Sequence, residues 1–257
     1  MPRARTTRSR ARELPPPLPP EHRTVGQLVG EAMRVYGNRF WAALAIGLPV
    51  AAVNALVVAV PRGPGQLLLA AGGGVLMALS YVGACAIVLE RPFRSRSALA
   101  AYAIGVLVFI PFPFLATVFV LPGLVWLAFV GLAVPAAFVE RLGVRAAFAR
   151  GIELARVDFV HVLGGLAALA LVVFLTQAAL YLVLREFAEN TRVVAAILAS
   201  VVVSPLVFIG AALLYLDQEA RLRSRERRKE RDADVPHAVH AHRKGHPDPA
   251  RKSRPPA

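Results

Sequence analysis

The sequence predicts an all-α fold: a polytopic helical membrane bundle of six transmembrane helices, with two interfacial amphipathic helices on its cytoplasmic side. Three observations predict it. The 257-residue chain is 56% hydrophobic yet carries a formal net charge of +14, and the two properties are segregated along its length. The apolar residues fall into runs of about 20, the helix length that crosses a ~30 Å hydrocarbon layer at 1.5 Å per residue. The basic residues crowd into the ends and the short connections, whereas a soluble domain would spread them over its surface.

Residues 1–22 read as a basic, proline-rich tail without a fold of its own. The run from Pro15 to Pro20 favours polyproline II and acts as a spacer. At Thr24 a capping box with Gln27 opens an amphipathic helix. Val25, Leu28, Val29, Ala32 and Tyr36 line its apolar side, Gln27, Glu31 and Arg34 the other, and Gly37 is its expected stop. The preceding polar stretch is too long for the n-region of a secretory signal, so the first span is expected to remain as an anchor.

The membrane domain is expected over 23–216, with spans near 41–60, 66–89, 98–121, 123–139, 159–184 and 193–216. The apolar stretch 98–139 holds 42 residues, about 63 Å as one helix, so it must fold back on itself. A break at Pro111-Phe112-Pro113 leaves only 13 residues before it, too few to cross. The break is therefore placed at Pro122-Gly123, and the earlier prolines are read as a kink. Between spans four and five, Val144, Phe148, Ile152 and Ala155 mark a second amphipathic helix. Residues 217–257 form a basic tail, helix-like to about Arg231 and unstructured beyond.

Orientation follows from the arginines and lysines. With six spans, 27 of the 30 fall on the side of the two termini, and only Arg62, Arg185 and Arg192 fall on the other. The positive-inside bias then places both termini in the cytoplasm of a cell-membrane protein. Phe40, Trp41, Trp126 and Tyr215 are expected as aromatic anchors at the two borders. An internal echo accompanies this frame. Glu31 and Glu153 each open the pattern E-x-x-R-V before a span, and spans two and four both exit through Glu-Arg. A duplication would produce such echoes, and so would chance.

Reactive chemistry is narrowed mainly by exclusion. No Asp, Glu, Lys or Arg falls inside the six expected spans, where ionisable groups of pumps and intramembrane catalysts are usually found. His161 sits at the cytoplasmic border and is read as snorkelling. Glu90 and Glu140 each stand beside an arginine and are read as border ion pairs. Asn54, Gln177 and Ser204 are the candidate intramembrane polar contacts, either between helices or along a polar path. Gly72 to Gly74 and Gly164-Gly165 are expected to let helices approach closely.

No catalytic residues, cofactor or metal site are assigned. Cys85 is the single cysteine and rules out an internal disulfide, and the histidines at 237, 240, 242 and 246 lack an ordered scaffold. Arg221, Arg223, Arg225, Arg227, Arg228 and Lys229 follow the last span directly. They are the candidate contacts to anionic phospholipid headgroups, each worth about 1 kcal/mol near an anionic leaflet. Nucleic acid, the rival partner of a basic run, lies farther from a juxtamembrane position.

Three segments carry a family resemblance: Thr24–Ala32 with Tyr36–Trp41; Val134-Pro135 through Glu140, Gly143 and Ala147–Arg150 to Leu154–Arg156; and Ser204-Pro205 with Leu214–Asp217. In this order they resemble bacterial and archaeal integral membrane proteins of unassigned function. That family is related to the membrane domain preceding the catalytic domain of some glycerophosphodiester phosphodiesterases. Gly151-Ile152 stands where the family usually has Ser-Trp. The resemblance implies a six-helix membrane domain without known catalytic residues. The 41 residues after the last span fall far short of the ~200 or more a barrel needs, so the activity does not carry over. The expected role is a non-catalytic membrane domain contacting anionic lipid or a cytoplasmic partner. The alternatives are a small-solute or lipid transporter and an intramembrane enzyme using Glu90, Glu140 or His161.

Overall fold

The computed structural model describes residues 19–93 and 96–244, and among them it contains helices and no strands. A single 3-10 turn, Pro20–His22, precedes α1 (Val25–Asn38) and α2 (Phe40–Ala59). α3 (Pro64–Gly72) and α4 (Gly74–Val88) form one bent span, as do α5 (Arg96–Phe109) with α6 (Phe112–Val118), and α7 (Val120–Val130) with α8 (Ala133–Glu140). α9 (Val144–Val157) leads into α10 (Phe159–Val183) and the long α11 (Glu189–Lys244). Six of these units are long and apolar enough to cross a membrane. The chain is built as a multi-pass membrane protein.

The outward faces agree with that solvent. Leu99 is 71% exposed, Phe174 66% and Leu198 61%, on helices that bury Ala101, Leu169 and Ile209 on other faces. Such an apolar exterior is unfavourable in water and natural in lipid. With six such units, α1 and the end of α11 lie at the same end of the bundle, here termed the terminal side.

The bends have local causes. The hairpin within the long apolar stretch breaks at Phe119, which is extended between α6 and α7, and not at Pro122-Gly123. Pro122 instead occupies the first turn of α7, where a missing N–H costs little. The earlier prolines do more than kink the span: they end α5 at Phe109 and open α6. Trp126 then donates its indole N–H to the Val108 carbonyl at 2.8 Å. That bond satisfies a helix-end acceptor, so Trp126 is a clip between spans rather than a border anchor.

α2 and α11 cross with backbone touching backbone. A Cβ on Gly47 would stand 2.0 Å from the Val201 carbonyl oxygen. Pro205, four residues on, has no N–H for that carbonyl, so the crossing occurs where α11 is already relaxed. α4 and α5 meet similarly, where a Cβ on Gly105 would lie 2.9 Å from the Ala78 Cβ. At the bundle centre Tyr81, Phe109 and Phe208 hold one another at ring distances of 5.9–6.0 Å.

Both expected amphipathic helices form. The Thr24 capping box is complete: Gln27 N–H donates to Thr24 Oγ1, and Thr24 N–H donates to Gln27 Oε1 at 2.8 Å. Leu28 and Ala32 are fully buried beneath α1, which ends at Asn38. The second helix is rotated from its expected face. Ala147, Gly151, Leu154 and Ala155 are buried, while Val144 is 46% exposed. Small residues decide this, since a Cβ on Gly151 would lie 2.6 Å from the Ala133 backbone nitrogen. α1 packs mainly on α10 and α11, and α9 on α7 and α8, so neither docks chiefly on the span it precedes.

Two further boundaries differ from the sequence reading. Pro19–His22 are placed against α11, through a Ser224 hydroxyl that donates to Glu21 at 3.0 Å, so the tail adjoins the bundle earlier than residue 23. α11 runs unbroken to Lys244, beyond Arg231 where helix was expected to stop. Residues 1–18 and 245–257 lie outside the described residues, including most of the proline run and His246.

Candidate functional site

Two polar regions stand out, at opposite ends of the bundle. The first joins the segment before α1, the start of α10 and the middle of α11 on the terminal side. Asp217 follows directly on the apolar part of α11, and its side chain is completely buried. Arg23, held by the start of α1, donates to Asp217 Oδ1 at 2.6 Å. One helical turn on, Arg221 donates to the Arg23 carbonyl at 2.9 Å and to the Asp158 carboxylate. Asp158 also caps α10 by accepting from the His161 backbone N–H at 3.1 Å. Three elements remote in sequence are thereby stapled together.

His161 is part of this staple. Its residue is 8% exposed and its Nε2 lies 3.5 Å from Asp217 Oδ2, so it is buried against a carboxylate and does not snorkel. Both side-chain amide atoms of Gln218, Asp217 Oδ2, His161 Nε2 and Arg221 Nε are buried without a hydrogen-bond partner among the described residues. Each such group costs about 1–3 kcal/mol where water cannot reach it. The cluster is dense in charge and short of partners. No group of three or more metal-ligating side chains occurs among the described residues.

A second ion cluster sits beside the first. Glu140, at the end of α8, accepts from Arg150 and from the Tyr215 hydroxyl, both at 3.1 Å. Arg150 also donates to Glu153 at 2.9 Å. Burial pulls the Arg150 pKa down, but the hydrogen bonds and charges of Glu153 and Glu140 outweigh it and hold the guanidinium above its ordinary value. Tyr215 is fully buried and ties span six to span four, so it is not the border anchor expected of it. Phe40 and Trp41 do stand exposed, Trp41 at 78%.

The border carboxylates pair, though not with their sequence neighbours. Glu90 meets Arg39 at 3.1 Å, while Arg91 donates to the Val139 carbonyl at 3.0 Å. The two Glu-Arg exits also differ in register: the left-handed residue is Glu90 in one (φ 50°) and Arg141 in the other (φ 56°).

Of the six basic residues singled out after the last span, Arg221 is committed to the internal staple and Arg223 pairs with Glu219. Arg225, Arg227, Arg228 and Lys229 are exposed. Arg227 makes a 3.4 Å contact back to the Arg223 carbonyl.

The second region lies in the half of the bundle remote from the termini. Asn54, Gln177 and Ser204, chosen separately as polar residues within spans, line one cavity of about 420 Å³. It is a groove over α11, flanked by α2 and α10, with Val50, Val173 and Ile197 among its walls. Gln177 Nε2 donates to the Ala196 carbonyl at 3.3 Å and Ser200 to the Ile197 carbonyl at 2.7 Å. Ser204 is 8% exposed and its hydroxyl has no partner among the described residues. The Asn54 amide makes no hydrogen bond among the described residues. No charged side chain lines the groove.

Sequence reasoning found the groove residues by their polarity at depth but missed the staple. Its signals were Asp217-Gln218 directly after an apolar run and Arg23 directly before a capped helix. Comparisons with protein-family models, curated proteins and solved structures found no match to this chain.

Proposed function

We propose that this membrane protein is non-catalytic, with both termini in the cytoplasm of a cell membrane, and that α11 carries its membrane body's basic extension to an acidic cytoplasmic partner. The single observation behind this reading is the continuity of α11 from the membrane span through Arg231 and beyond. Along a straight helix, Arg223 to Arg231 lie roughly 10–22 Å past Leu216. The Debye length is only about 8 Å at physiological ionic strength. A helix that keeps its direction therefore carries most of these charges beyond the reach of headgroups. Anionic lipid is left to the border, where Arg96 and Arg141 line an open concavity of about 400 Å³.

The enzymatic alternative finds little support in its candidate residues: the Glu90 and Glu140 carboxylates and the His161 imidazole are each engaged by a different partner. A transport path is disfavoured by the Tyr81, Phe109 and Phe208 rings, which pack against one another one turn beyond Ser204.

The test uses the full chain in nanodiscs of neutral lipid, with poly-glutamate as the acidic probe. Salt-sensitive binding that disappears in the combined Arg225→Glu and Arg228→Glu variant is the expected result. A fluorophore at position 228 that is strongly quenched by headgroup-attached quenchers would instead lay the helix on the leaflet and refute the partner reading.

A further inference from the structure

The groove between α2, α10 and α11 is independent of that reading. Its position defines what can enter. Asn54 lies five residues before the end of α2, about 7.5 Å inside the border of that span. From Val193 to Ser204 the groove follows α11 for about 16 Å, towards mid-bilayer. Its walls are mostly apolar and it opens outward: Val58, on the α2 wall, is 53% exposed. Whatever occupies it arrives from the hydrocarbon layer.

The lining narrows the chemistry further. The walls are mostly aliphatic, which suits a hydrocarbon chain. Yet Ser204, more than nine-tenths buried and with a hydroxyl unpartnered among the described residues, lines the same space as the half-buried Asn54. Unpaired polar groups at this depth are expensive, so an occupant that supplies a donor and an acceptor gains more than an alkane would. No arginine or lysine lines the groove to neutralise a phosphate, and a charged head at this depth is strongly disfavoured. A volume of about 420 Å³ lies in the range of small-molecule sites, commonly ~300–1,000 Å³.

We propose that this groove binds a neutral amphiphile of the diacylglycerol type, with a hydrocarbon chain along α11 and its hydroxyl and ester groups hydrogen-bonded to Asn54 and Ser204. Gln177 holds α10 against α11 through the Ala196 carbonyl and so sets the width of the groove. An uncharged head distinguishes this ligand from the surrounding phospholipid, which shares its chains.

The experiment uses the full chain in phosphatidylcholine nanodiscs and three photoactivatable probes with identical diazirine-bearing chains. These are diacylglycerol, phosphatidylcholine and phosphatidic acid. Saturable labelling of the segments 50–58, 173–177 and 193–204 by the diacylglycerol probe, several-fold above the other two, is expected. Asn54→Leu and Ser204→Leu should each cut that labelling several-fold while leaving background labelling near Leu99 unchanged. Equal labelling by all three probes, or labelling that rises without saturation and matches that near Leu99, overturns the proposal. So does wild-type labelling in both variants, or ready disulfide formation between Val58→Cys chains, which would seat a second copy on the groove. Saturation and head-group preference are read on the unmodified chain, so the outcome does not depend on how a variant folds.

Discussion

The two ends of the bundle solve the problem of polar groups in opposite ways. On the terminal side, Arg23, Asp158, Asp217 and Arg221 are drawn together from three distant parts of the chain, and buried charge is matched by charge even though single atoms of Asp217 and Arg221 keep no hydrogen-bond partner among the described residues. On the far side, Asn54 and Ser204 are neutral and lack partners among the described residues, and the helices around them part to leave a groove. The end where charge is matched is therefore expected to be the harder one to disrupt. Breaking a matched buried pair strands a charge, whereas replacing an unpaired amide removes nothing the fold depends on.

This contrast is most vulnerable at Asp217. Replacing it with Ala leaves the Arg23 guanidinium buried without its carboxylate. A loss of about 3–5 kcal/mol is predicted, read as a lower unfolding midpoint in detergent. Next comes Gly47→Ala, whose methyl group would overlap the Val201 carbonyl. Overpacking of this kind costs about 1–3 kcal/mol, and thermal unfolding of the purified variant checks it. Arg141→Gly acts in the opposite direction. The left-handed backbone at Arg141 suits glycine, and a gain of about 0.5–1 kcal/mol is expected, visible as a raised midpoint. The smallest effect belongs to Asn54→Leu, which should stay within about 0.5 kcal/mol of the native chain. A large loss there would mean that the groove is a structural seam after all.

The six spans were legible because a bilayer imposes a length, and a soluble core has no need of unbroken apolar runs that long. Thr24 and Gln27 were legible for a local reason: a capping box is complete within four residues. Phe119 was not. Prolines signal a break, but Pro122 is equally at home in the first turn of the helix that follows. The face of α9 was read only in part: Ala155 is buried and Phe148 packs against the core, but Ala147 and Gly151 bury themselves by smallness, which an apolar pattern weighted to larger side chains does not show. His161 and Asp217 are 56 positions apart and Arg23 and Asp217 are 194 apart, so no spacing rule brings them together. Asn54, Gln177 and Ser204 were recognised singly; that they share one wall depends on the rotation of three helices.

If the terminal-side staple locks the bundle while the far-side groove stays uncoupled, a pair of double-mutant cycles will separate the two ends. Unfolding free energies of Arg23→Ala, Asp217→Ala and their combination should yield a coupling of roughly 2–3 kcal/mol, against less than about 0.5 kcal/mol for Asn54→Leu with Ser204→Leu. Equal couplings at the two ends, or a larger one in the groove, would contradict this division of the bundle into a locked end and a free one.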